Sequence, residues 1–426
     1  MQAQRPAEQR WWWVLVAGIT LGSALGCHRA VEPSPALRVW AMGKEAEYLS
    51  TRIHGRMIGG YRVEVQRLPW SAAHEKLLTA FVAGTLPDVV QLGSTWLPEF
   101  VAVGAVECTS IDQSVIDDFF PGAVEGNLVN NRWCGAPWYV DTRVLFYRRD
   151  LLARAGFPLP PQTWDQWRHA MRRIRQLGPE HYGLLAPLDE WHLLVALAFQ
   201  AGAELLRDRD QYGNFQSPEF RRAFSFYVSL FHEGLVPFEG QGQVANVYQD
   251  FAAGLFTFYV TGPWNLGEFR RRLPGELQNE WATAVLPMPE LGSPSVSVMG
   301  GASLAVTTSS DKRDAARELI SYLLSPEELT HLYHATGDLP ARRSAWRHIG
   351  DADPLRLTAF RTQLEHARST PKIPEWERIA GLLLRYTELA VRKHLPVDTA
   401  LALLDAETDR VLAKRRWLLQ RTPTQP

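Results

Sequence analysis

The sequence predicts an α/β protein built on open, mainly parallel sheet. Three observations carry this. Strand-like runs alternate with helical periodicity from Leu37 to Leu92; a second stretch of alternating strands and helices follows Gly135; and the chain from residue 311 onward reads as helices. The composition fits: 426 residues, 46% hydrophobic and 21% charged, with room for two or three domains. Forty-five basic against 46 acidic residues give a net charge of −1, so nothing in the charge balance argues for a nucleic-acid partner.

The elements follow in order. Leu37–Ala41 is a short apolar strand, and a helix is expected over about 45–57. Tyr61–Val65 alternates strictly and reads as a strand. Ala72, Leu77, Leu78, Phe81 and Val82 share one helical face, and 87–92 is a third strand. Strand-helix-strand-helix-strand means parallel pairing with right-handed crossovers. Ligands of such sheets sit beyond the carboxyl ends of the strands, here Gly43–Glu45 and Gly93–Trp96. Further on, 136–140 and 143–147 are two extended runs interrupted by Asp141 and Thr142. Helices are expected at 149–155, from Thr163 as N-cap to about 177, at 190–201, at 218–233 after Ser217, and near 245–253. Strands are expected at 182–186, 256–260, 282–286 and 303–306, the last one visible. The helical remainder is broken near 336–343 and 369–375.

The N-terminus reads as an export signal. Arg5 and Arg10 precede a 15-residue uncharged stretch, Trp11–Leu25, which ends in small residues and Gly26-Cys27. A Cys after Gly resembles a lipobox, so residues 1–26 are expected to be removed and Cys27 lipidated, with 27–35 as a tether. The alternative is a plain signal anchor or a secreted protein with an incidental Cys. Two or more acyl chains anchor far better than one, at ~0.8 kcal/mol per buried methylene. Cys108 and Cys134 remain, and outside the cytoplasm such a pair is expected to be oxidised, two buried thiols being the alternative.

Signatures of common chemistries do not appear. There is no nucleophile elbow, no zinc-protease motif and no phosphate-binding loop. The run from Asp208 to Gly213 puts Tyr212 where a calcium loop needs an oxygen and reads as a polar turn. His331 and His334 have no acidic partner motif. No cofactor is expected.

The chain has 16 Trp. Most are expected in the core, but Trp96, Trp138, Trp191 and Trp264 fall at strand ends or loop edges, where open sheets expose side chains. An indole face suits the C–H face of a pyranose, while carboxylates, amides and Arg take its hydroxyls. Asp141, between two extended runs, is a candidate acceptor; a turn residue bonding its own backbone is the alternative.

Several runs together resemble one family. They are 81–90 (FVAGTLPDVV), 135–152 (GAPWYVDTRVLFYRRDLL), 160–165 (PPQTWD), 261–264 (TGPW), 299–306 (MGGASLAV), 337–342 (GDLPAR) and 372–376 (KIPEW). In order and spacing they look like the extracellular solute-binding proteins of ABC importers, the group that includes maltose-binding protein. The resemblance spans essentially the whole exported chain. It implies a two-lobed type II periplasmic-binding fold with the ligand in the cleft between lobes. The first lobe would take 36–142 and 293–343, the second 143–292 and 344–426. By the same resemblance Lys44, Glu45, Ser94, Thr95, Asp141, Trp191, Trp264, Gly301 and Arg342 would line the cleft. Maltose-binding protein has an acid where Thr95 stands.

The implied function is capture of a carbohydrate by hinge closure and delivery to permease subunits, by a monomer lipid-anchored in the cell envelope, with no chemistry performed. Within the same fold a glycerophosphodiester, a polyamine or a metal would be the competing cargo. A lipid-anchored carbohydrate-active enzyme, or a sensor lobe, would be the competing class.

Overall fold

The computed structural model describes residues 36–109, 113–238, 246–349 and 353–421. The expected signal, tether and Cys27 lie outside them. No helix among the described residues is long and apolar enough to cross a membrane.

Two sheets organise the chain. In the larger, the strands run in the order Leu339–Pro340, Ala136–Thr142, Ser297–Val306, Val89–Gly93, Ala36–Met42, Tyr61–Leu68, Met57–Ile58, with Ala367–Arg368 attached to Ser297–Val306. Strand 36–42 pairs in parallel with 61–68 on one side and with 89–93 on the other, as the alternating pattern predicts. Strand 89–93 is buried along its length, as a central strand covered on both faces must be. The smaller sheet has the order Trp281–Ala284, Val144–Arg148, Phe256–Thr261, Tyr182–Leu185.

The chain passes from the larger sheet to the smaller at Arg143, the single residue between strands 136–142 and 144–148. It returns between strands 281–284 and 297–306. The two passages are bonded together. Thr142 Oγ1 donates to the Val298 carbonyl at 2.9 Å; Ser297 Oγ accepts from the Arg143 amide at 3.3 Å and donates to the Arg143 carbonyl at 2.9 Å.

Helices begin where the sequence places their caps. Thr163 accepts from the Gln166 amide and Ser217 from the Phe220 amide. Other expectations need correction. The helix read over 45–57 ends at Arg52, and 57–58 instead pairs with 61–62 across Gly59-Gly60. The strand read from Ser303 starts at Ser297; Gly300 and Gly301 supply no side-chain alternation, and a register shift at Ala302/Ser303 hides the period. The expected break at 336–343 holds the strand 339–340, and a second strand, 367–368, precedes the break at 369–375; at two residues each they leave no periodic signal. Trp138, read as an exposed ring, is 0% exposed, because strand 136–142 is flanked by neighbours on both sides and is buried on both faces.

Cys108 and Cys134 are joined by a disulfide, S–S 1.96 Å, closing a loop of sequence separation 26. Replacing both by Ser is expected to lower unfolding free energy by about 3 kcal/mol, mostly through the freed unfolded chain. Urea titration of the double variant beside wild type reads this directly; superimposable curves would deny the bridge any stabilising part.

Candidate functional site

The ends of the parallel strands meet in a cleft of about 680 Å³. Strand 36–42 runs into Gly43, whose φ of +59° turns the chain directly into helix Gly43–Arg52. A Cβ there would press on Glu45 Oε2 and Trp70 Nε1, so only glycine permits the turn. Lys44 and Glu45 thus stand in the first helical turn at the rim of the sheet. Beside them strand 89–93 ends in Ser94, Thr95 and Trp96, which are half-buried; Trp96 meets Trp70 edge-on at 5.6 Å.

The passage between sheets supplies the next wall. Asp141 and Arg143 lie two residues apart on extended chain, so their side chains share a face. Arg143 Nη1 donates to Asp141 Oδ1 at 2.7 Å, and the two side chains are only 7% and 16% exposed. Asp141 sits opposite Gly300, where any side chain would run into its carboxylate; a Cβ at Gly301 would strike the Tyr139 carbonyl. The glycines therefore let the carboxylate and backbone approach. From the smaller sheet, strand 256–261 leads through Gly262-Pro263 to Trp264, the first residue of helix Trp264–Arg272. The Trp264 ring lies over Gly262, and the Arg143 guanidinium is 4.7 Å from its centroid. Trp191 caps helix His192–Gln200, stacks on His192 at 3.9 Å and meets Trp376 edge-on at 5.4 Å.

One turn beyond Trp264, Glu268 accepts from Lys44 Nζ at 2.8 Å, and it also holds Arg271 and Arg272. Burial opposes ionisation of Glu268, but the bonds from Lys44 and Arg271 outweigh it and hold its pKa below the ordinary range. Burial pushes two further cleft acids the opposite way. Glu45 is raised, and Asp338, buried beside Glu45 in the lining, is raised well above the usual carboxyl value. Burial also drives His192 well below the ordinary imidazole value, with Arg143 adding to the effect, so His192 is neutral.

Both basic groups of the lining are matched: Lys44 to Glu268 and Arg143 to Asp141. Neither offers a free cation for a phosphate. The lining combines indole rings with the carboxylates Glu45, Asp338 and Glu377, which no base of the lining pairs, an arrangement suited to stacking and to accepting hydroxyl protons.

Of the residues read from the sequence, Lys44, Glu45, Ser94, Thr95, Asp141, Trp191, Trp264 and Gly301 come together around this cleft. Arg342 does not. Its guanidinium binds Asp118 at 2.7 Å and the Leu324 carbonyl at 3.1 Å, beside a different cavity. Sequence reading missed Trp70, Tyr139, Arg143, His192, Glu268, Asp338 and Glu377 in the lining. Tyr139 and Arg143 stood two residues either side of the chosen Asp141, and Asp338 four residues before the chosen Arg342. Among the described residues no cluster of His, Cys, Asp or Glu could hold a metal ion. The 208–210 turn has three successive left-handed residues and Arg207 bonded to Asp208.

Comparison with known proteins agrees with this geometry. Residues 57–329 match the family model described as bacterial extracellular solute-binding protein. The solved structure of the sugar-binding protein MalE from the phytopathogen Xanthomonas citri is 41% identical, covering 91% of this chain and all of that one, with a TM-score of 0.83. Among curated relatives, the diacetylchitobiose binding protein DasA of Streptomyces coelicolor is 24% identical over 362 residues, 83% of each chain. The galactooligosaccharide-binding protein of Bacillus subtilis is 23% identical over 330 residues, 75% of each.

Proposed function

The chain belongs to the bacterial extracellular solute-binding proteins, and from that membership we propose that it captures a carbohydrate in the cleft and presents it to the permease of an ABC importer. The observation that carries the sugar is the lining itself. Trp264, Trp191, Trp70 and Trp96 border a space whose two cations are already spent on acids. A phosphodiester would find no unmatched base. A polyamine would meet Glu45, Asp338 and Glu377, which no cation of the lining matches, and spermidine below is the control for that reading.

The mechanism is a population shift. Lys44, Glu45, Ser94 and Asp141 extend from the larger sheet, while Trp264 and Glu268 follow the smaller one. A sugar touching both groups binds the closed arrangement better than the open one and so favours closure. The hinge is the bonded pair of passages at 142–143 and 297–298. The lobes are 36–142 with 293–343, and 143–292 with 344–426. Closure, not turnover, is the output, and the protein is held in the envelope by a lipid on Cys27, outside the described residues.

Thermal unfolding against maltose, diacetylchitobiose and galacto-oligosaccharides, with glycerophosphocholine and spermidine as controls, tests the reading. A sugar at a hundred times its Kd adds ~2.7 kcal/mol. The expected result is a raised midpoint with the sugar recovered intact. A shift from a control alone would remove the carbohydrate assignment, and consumption of the sugar would make the protein an enzyme.

A further inference from the structure

The last stretch of the chain differs from the rest in charge. From Arg410 to Pro426 it carries five bases, Arg410, Lys414, Arg415, Arg416 and Arg421, and no acid, although the whole protein sums to −1. Two helices hold these bases, Val397–Val411 and Ala413–Arg421. At the joint the Leu412 amide bonds the Thr408 carbonyl and the Arg416 amide bonds the Leu412 carbonyl, so the helical turns carry across.

The bases divide between two faces. Arg416 donates to the Gln211 carbonyl at 2.7 Å and to the Asp409 carbonyl at 2.8 Å, and it lies over the Tyr212 ring. Arg415 is 3.9 Å from Glu375. These two hold the helix to the body. On the other face Arg410, Lys414, Trp417, Leu418 and Arg421 recur at three- and four-residue spacing, and all are exposed. Trp417 and Leu418 are 49% and 46% exposed, and the Arg421 guanidinium lies 3.9 Å from the Trp417 ring centroid. The acids that precede this run turn inward. Asp405 accepts from the Phe215 amide at 2.8 Å, Glu407 from the Tyr386 hydroxyl at 2.7 Å and Asp409 from the Gly213 amide at 2.9 Å.

An indole and a leucine flanked by bases alone match a bilayer interface. There the rings sit at headgroup level and the bases meet lipid phosphates. A second copy of this chain fits worse, because a two-fold contact would set the same bases against each other.

We propose that the face of Arg410, Lys414, Trp417, Leu418 and Arg421 seats on an anionic phospholipid surface. Trp417 and Leu418 enter among the headgroups, and the three bases meet phosphates. A lipid on Cys27 confines the protein near a bilayer; this second contact sets which side it turns to that bilayer. None of the five residues lines the cleft, so the contact is independent of the cargo.

Vesicle co-sedimentation tests this with the chain from His28 onward, which keeps every described element and lacks Cys27, so no acyl chain contributes. It should bind vesicles of phosphatidylglycerol and phosphatidylethanolamine and ignore phosphatidylcholine. Salt at about 0.5 M, where the screening length is about 4 Å, should release it. Each base on an anionic surface tightens binding about fivefold, so Arg410→Gln with Lys414→Gln and Arg421→Gln should lose about a hundredfold. Trp417→Ser with Leu418→Ser should lose about tenfold, through apolar area no longer buried. Both variants should keep the wild-type melting temperature and sugar affinity in solution. Where a variant melts early, the lipid and salt comparisons on wild type still decide. No binding to the anionic vesicles overturns the proposal, as does binding that both variants retain. Binding lost with the bases but kept without Trp417 and Leu418 overturns entry among the headgroups. A dimer in solution that Trp417→Ser with Leu418→Ser abolishes would put a second copy on this face and overturn the lipid.

Discussion

Trp264→Ala is expected to weaken sugar binding at least a hundredfold, about 2.7 kcal/mol, with little change in the melting temperature of the ligand-free protein. The ring is half-buried at the first position of its helix, over a glycine, and its orientation is set by the Arg143 guanidinium at 4.7 Å. It anchors no core cluster, so its removal leaves the packing beneath helix 264–272 to Leu266 and Phe269, which are buried. What is lost is an aromatic face already held in place, the kind of anchor that dominates binding energy. Titration calorimetry with the sugar identified by thermal shift decides the matter. A loss under threefold would mean that the ligand stacks elsewhere, with Trp191 or Trp70 next to test.

Asp141→Ala is expected to do two things that a second substitution separates. It abolishes measurable sugar binding, and it destabilises the fold by about 3 kcal/mol. The second effect comes from Arg143. Its side chain is 7% exposed, its Nε has no hydrogen-bond partner, and Asp141 supplies its ion pair. Removing one member of a buried pair strands the other charge. Asp141→Ala with Arg143→Met should therefore recover most of the stability while remaining unable to bind. Chemical denaturation and calorimetry on the three proteins give the result. If the double variant is no more stable than Asp141→Ala, the cost is in backbone geometry at Gly300 and not in the charge.

Much of the scaffold was legible in the sequence because it depends on local pattern. Tyr61–Val65 alternates, the short 87–92 run carries Val89, Val90 and Leu92, and Thr163 and Ser217 announce helices they do cap. The site was legible in its segments more than in its residues. The run from Gly337 to Arg342 lies partly at the cleft, but Asp338 is the member that faces it, while Arg342 turns to Asp118. Nothing local distinguishes the two, since a Gly with φ of +88° and an edge strand of two residues decide which side chain points where. Glu268 and Lys44 are 224 residues apart. Their meeting depends on how two sheets are set against each other, which no window of sequence contains. Trp138 went the same way: its strand is interior because 339–340 pairs at its far edge, and that two-residue strand leaves no periodic trace.

The bonds joining 142–143 to 297–298 have a consequence for protein engineering. Two extended segments tied side by side act as a flat ribbon: compliant across its thin dimension, stiff against slippage along its length. Any such motion preserves register, so Asp141 and Arg143 travel as a unit opposite Gly300. Inserting one residue at 142 would break that lock-step, because side chains along extended backbone alternate, and a one-place slip would throw the carboxylate to the face opposite its guanidinium. A reporter domain spliced there would uncouple the sensor it was meant to read. The turn Leu291–Gly292, on the return passage and with Leu291 exposed, is the place where added length leaves the ribbon intact.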